Sequence, residues 1–195
     1  MIYFAKVVSV VFHPAILILL LPFLVVYRQT ESSLYALKWQ MFSSLFVFLA
    51  GVLVYLGEKS GVFSDPDLTK RNERNKFYAM SIILLLLYIG SVVFFKGIFS
   101  LFVVIALGLL FGVVLFAIAN HFFKISIHSG VISGFVISLG ILYGINIFFV
   151  VVWIAPLMIW ARLILKKHTL IEAISGGFLG GTITIATYLI GKNYL

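Results

Sequence analysis

The chain has 195 residues, 63% of them hydrophobic and only 10% charged, with a mean hydropathy of +1.21. Soluble domains are nearer half apolar, so this composition excludes one and calls for an integral membrane protein. The formal charge of +8 lies between long apolar stretches rather than on an amphipathic surface, which points to anionic lipid and away from nucleic acid, and the lack of Cys excludes disulfides, thiolate metal sites and thiol nucleophiles.

A spanning helix needs roughly 20 mostly apolar residues at about 1.5 Å each. Cutting the sequence at charges and polar clusters predicts seven spans, over residues 7–27, 41–56, 77–95, 97–119, 129–144, 146–164 and 169–190. The expected fold class is all-α, a polytopic membrane helical bundle of six or seven transmembrane helices forming a single domain over residues 1–195. The first span follows only Lys6, exceeds a signal-peptide core and lacks an Ala-x-Ala-like cleavage site, so it is expected to be retained. Pro14 and Pro22 are expected to kink it. After a linker at 28–40 and the second span comes the one long polar loop, 58–76, which holds Glu58, Asp65, Asp67 and Glu73 with Lys59, Lys70, Arg71, Arg74 and Lys76. Residues 129–160 carry no charge, and a tight hairpin is expected around Gly144, Ile145 and Asn146. Two helices of about 16 residues reach about 24 Å, short of a hydrocarbon core of about 30 Å, so their outer ends should be recessed.

Reactive residue types gather at three junctions, 67–76, 124–128 and 162–172. Two spans separate the first from the second and two more separate the second from the third, so all three are expected on one side of the membrane. In the third cluster His168 and Glu172 stand four apart, on one face of a helix. A carboxylate one turn away fixes the imidazole tautomer and leaves the other nitrogen as a nucleophile. Residues 169–172 also spell a capping box, Thr169 to Glu172, and the two roles are compatible. The second cluster offers Lys124, Ser126 and His128, a cation, a hydroxyl and an imidazole able to protonate a leaving oxygen. The first adds Lys70, Arg71 and Arg74, which serve equally as a membrane-surface anchor. Cations, two imidazoles and a hydroxyl together suit an anionic phosphate. His13, beside Pro14, and His121 read as interfacial histidines without chemistry.

These residues resemble the three-part signature of the type-2 phosphatidic acid phosphatase and vanadium haloperoxidase superfamily, K-x6-RP, PSGH and SR-x5-H-x3-D. The third part reads Ala161, Arg162, five residues, His168, three residues and Glu172 in the Asp position; the second reads Ile125-Ser126-Ile127-His128, with Ile for Pro and Gly. In the first, Arg74 is followed by Asn75 instead of Pro, Asp67 stands in the place of Lys, and Lys70 or Arg71 offers the missing cation. The run from Phe63 to Arg74, with Phe12-His13-Pro14, looks like a divergent branch of small bacterial membrane members.

The resemblance implies a phosphatase of lipid phosphates in a bacterial cell membrane, working without metal or other cofactor through a phosphohistidine. It implies that His168 attacks phosphorus, Glu172 orients it and His128 is the acid, while Arg74, Arg162, Ser126, Lys70, Arg71 and Lys124 bind the phosphate. A carrier or flippase for an anionic lipid, or a phosphotransferase using the same site, are the alternatives.

Overall fold

The computed structural model describes residues 1–92, 94 and 99–192. Among these the chain forms nine α-helices: α1 (Ile2–Val11), α2 (Pro14–Thr30), α3 (Ser33–Lys59), α4 (Arg71–Val92), α5 (Phe99–Phe122), α6 (Ile127–Tyr143), α7 (Ile145–Val151), α8 (Ile154–Ile164) and α9 (Leu170–Gly191). Counting α1 with α2 and α7 with α8, six segments are long and apolar enough to cross a membrane, and α6 is a shorter apolar helix of 17 residues. The protein is an all-helical, multi-pass membrane protein. Large apolar side chains such as Phe48, Phe111, Trp153 and Phe178 are exposed, as lipid-facing surfaces require.

Helix ends run beyond the expected spans. α3 begins at Ser33 instead of residue 41, and α4 at Arg71 instead of 77, because charged side chains at a membrane boundary reach to water without interrupting the backbone ladder. The linker expected over 28–40 shrinks to Glu31 and Ser32. Pro14 does more than kink the first span. It is the first residue of α2, after His13 as N-cap, and so separates α1 from α2. The hairpin falls at Gly144, whose φ of 95° suits glycine, and α7 starts at the next residue. Only one of the two helices expected to be short is so, since Ile145–Ile164 extends over 20 residues. The turn expected at 95–97, with Lys96, lies outside the described residues. Between the first and second polar junctions lie α4 and α5, and between the second and third lie α6 and the α7–α8 pair, the even counts expected.

The contacts fall into two compact units, Met1–Leu45 with Ile125–Thr184, and Phe46–Lys124 with the chain from Ile185. In the first unit, α2 and α6 enclose Leu17, Ile132, Phe135 and Met158, while Ala5 and Val8 of α1 pack on Ala161 of α8. In the second, α4 packs along α5, and Phe46 meets Tyr88 edge to face with ring centroids 5.0 Å apart.

Pro22 lies inside α2 and supplies no N–H. Beside it the Gln40 carboxamide accepts from the Phe23 N–H (3.1 Å) and donates to the Leu19 carbonyl (2.5 Å), bridging a backbone pair four residues apart. Inside a bilayer such groups have no water to turn to, so the side chain satisfies the helix where proline loosens it. Gln40→Leu should therefore lower stability by about 1–3 kcal/mol, read as a fall in melting temperature in detergent. An unchanged midpoint would show that the Leu19 and Phe23 groups find partners without Gln40.

Candidate functional site

The third cluster is built by two helix ends back to back. α8 finishes in a Schellman turn: the Lys166 N–H donates to the Leu163 carbonyl (3.0 Å) and the Lys167 N–H to the Arg162 carbonyl (3.1 Å), with Lys166 left-handed at a φ of 53°. Glycine usually occupies that position, and a lysine there costs about 1 kcal/mol. The interval of five residues between Arg162 and His168 is thus the length of a closing turn. Thr169 then caps α9, its hydroxyl accepting from the Glu172 N–H (3.3 Å) while Glu172 Oε2 accepts from the Thr169 N–H (3.1 Å).

Glu172 Oε2 also lies 3.0 Å from Nδ1 of His168, whose side chain is 1% exposed. Capping and orientation therefore coexist on one oxygen. With Nδ1–H donated to the carboxylate, the neutral ring carries its nucleophilic lone pair at Nε2.

Arg162 is buried, 1% exposed, and donates from Nη1 to Ser9 Oγ of α1 (3.0 Å). Ser9 gave no signal in the sequence beyond being a hydroxyl in an apolar run. His13, an interfacial histidine by its sequence context, places its ring edge to face with His128, the centroids 5.1 Å apart.

The second cluster joins the third through the backbone. The Ser126 N–H donates to the Glu172 carbonyl (3.1 Å), and Ser126 caps α6, its Oγ accepting from the N–H (3.3 Å) and the hydroxyl (3.0 Å) of Ser129. His128 follows in the first turn of α6 and is buried. Below this point α6 and α9 run parallel at backbone distance. A Cβ on Gly176 would overlap the Ser126 backbone, one on Gly180 would overlap Gly130, and one on Gly134 would crowd Thr184 Oγ1. The sequence carries this contact as Gly130-x3-Gly134 and Gly176-x3-Gly180, a pattern for close helix approach that hydropathy alone overlooks. The positive N-terminal ends of both helices meet beside His168, an arrangement that favours an anion.

The first cluster belongs to the other unit. There Glu73 Oε2 accepts from the N–H (2.8 Å) and hydroxyl (2.9 Å) of Ser64, and Asp65 accepts from the Thr69 hydroxyl (2.9 Å). These bonds fold the loop onto the start of α4. Arg74 is 2% exposed and donates from Nε to the Leu68 carbonyl (2.8 Å), a residue held left-handed at a φ of 51°. Arg71 donates to the Asn120 carbonyl (2.6 Å) and the His121 carbonyl, so its guanidinium closes the C-terminal end of α5. Lys70 extends into solvent, 3.6 Å from Glu73, and is the better placed of the two alternatives to meet a ligand. Lys124 is half-buried at the end of this unit.

No protein-family model, curated protein or solved structure matches this chain.

Gly176→Ala should cost about 1–3 kcal/mol, because backbone on both sides has to move, whereas Gly51→Ala, with open space around it in α3, should be neutral or stabilising by up to about 1 kcal/mol. Thermal melts of the two variants check this. Equal midpoints would mean that α6 and α9 separate without loss.

Proposed function

We propose that the protein is a lipid phosphate phosphatase of a bacterial cell membrane, a divergent relative of the type-2 phosphatidic acid phosphatases, working through a phosphohistidine without a metal. The observation that carries this reading is the His168 Nδ1 to Glu172 Oε2 contact at 3.0 Å, at the point where the Ser126 N–H ties the start of α6 to α9. A binding site alone asks only for cations. An imidazole held by a carboxylate, with a second imidazole on the helix bonded to it, is the equipment of a nucleophile and an acid.

In the first step His168 Nε2 forms a bond to phosphorus as the bond from phosphorus to the lipid oxygen breaks. That oxygen takes a proton from the His128 imidazolium and leaves as the alcohol, and Glu172 stabilises the positive charge on His168. In the second step neutral His128 takes a proton from water as the water oxygen bonds to phosphorus, and the nitrogen–phosphorus bond breaks to release inorganic phosphate and neutral His168. Arg162 and Ser126 hold the phosphate oxygens, and the positive N-terminal ends of α6 and α9 help to neutralise their charge. Phosphoryl transfer depends mainly on such positioning and neutralisation.

The size of α6 supports a lipid substrate. Its 17 residues extend about 25 Å, less than a hydrocarbon core of about 30 Å, and a recessed end bearing Ser126 and His128 suits a lipid whose headgroup stays near the interface while its tails remain in the bilayer.

The test is release of inorganic phosphate, in excess EDTA, from phosphatidic acid, phosphatidylglycerophosphate and polyprenyl mono- and diphosphates by purified wild type and His168→Ala. Wild type should release phosphate from at least one lipid, and His168→Ala should lose all but about one part in a thousand of that rate while melting normally. Activity equal in the two would remove His168 from the chemistry. No release from a folded protein that binds these lipids would favour carriage, or transfer to another acceptor.

A further inference from the structure

His13 stands where two constraints fix a side chain. It is the N-cap of α2, in extended backbone at φ −64° and ψ 138°, followed by Pro14 as the first helical residue. Its Nδ1 accepts from the Ala15 N–H at 3.2 Å. With that bond in place the ring is the Nε2–H tautomer and is restrained from turning about its own axis. One turn further along, Leu17 of α2 packs with Ile132 of α6, both almost fully buried. His13 precedes Leu17 by four residues as His128 precedes Ile132, so the packing that joins the helices also brings the two rings together. They meet edge to face, 5.1 Å between centroids and 87° between planes. An N-cap does not need an imidazole, since Ser, Thr, Asp and Asn are the preferred residues. The ring adds a wall beside His128.

We infer that His13 is a positioning residue for His128, holding the imidazole of the acid in the one orientation from which it protonates the leaving oxygen. This rests on the phosphatase reading above. His13 exchanges no proton in the reaction. It restricts the His128 ring through edge-to-face contact, and is itself held by the Ala15 N–H and by the fixed φ of Pro14.

His13→Asn separates this role from capping, because Asn keeps a strong cap and removes the ring. The full chain in detergent is assayed on two esters, a lysophosphatidic acid, whose alkoxide needs a proton to leave, and 4-nitrophenyl phosphate, whose phenolate leaves without one. Single-turnover phosphoryl transfer to His168, the step in which the leaving oxygen departs, should fall on the order of 100-fold from the alkyl ester in His13→Asn and by less than about threefold from the aryl ester, with the melting temperature kept. His13→Ser, a second good cap, should repeat the pattern and serves if His13→Asn folds poorly. Wild-type rates on both esters, or an equal loss on both, would overturn the positioning role while leaving the phosphatase reading intact. Wild type releasing no more phosphate than His168→Ala from either ester would instead bring down the phosphatase reading and, with it, the role given to His13.

Discussion

Everything in the candidate site depends on how closely α6 approaches α9. The Ser126 N–H reaches the Glu172 carbonyl because Gly176 has no side chain to hold the strands of backbone apart, and Gly130 against Gly180 continues the contact a turn below. In lipid there is no hydrophobic gain from bringing two apolar helices together, so close packing and backbone polar contacts are what keep them there. The result is geometric. Two helix N-termini meet side by side, each with a positive end.

That arrangement bears on the cost of the charged groups. A carboxylate and a guanidinium near the hydrocarbon region need partners, and here each has one of definite chemistry. Glu172 accepts from the backbone of Thr169 and from His168 through one oxygen, while Arg162 is met by Ser9 from α1. Capping and the proposed orienting of His168 are therefore not rival explanations of Glu172. The hydrogen bonds that start α9 also hold the carboxylate where it fixes the histidine tautomer. Lys166, left-handed where glycine is usual, fits the same picture, since the strained turn is what sets His168 beside the start of α9.

Much of the fold was legible in the sequence, since apolar length is a coarse signal that lipid imposes strictly. The spans and the hairpin at Gly144 follow from it. Helix ends did not, as cutting at Lys38 and Lys76 treated charge as a break, whereas a charge only marks where a helix leaves the hydrocarbon. The pairing of His168 with Glu172 was legible in the spacing, although His168 lies ahead of α9, which starts at Leu170, and meets the Glu172 carboxylate from outside the helix. Ser9 was not, because a serine in an apolar helix satisfies itself in many ways and nothing in its neighbours points to Arg162. His13 reads in the sequence as an interfacial histidine without chemistry, whereas in the fold it is the N-cap of α2. Its ring contact with His128 comes from the packing of Leu17 on Ile132, a long-range fact that no local pattern carries.

The central claim is that His168 carries phosphate during turnover. The direct measurement is to mix the purified protein with a lipid phosphate labelled in its phosphoryl group, quench in alkali, and map the label by mass spectrometry. The account predicts an alkali-stable, acid-labile phosphoramidate on His168, absent from His168→Ala. Phosphate release with no labelled histidine, or with the label on another residue, would contradict it.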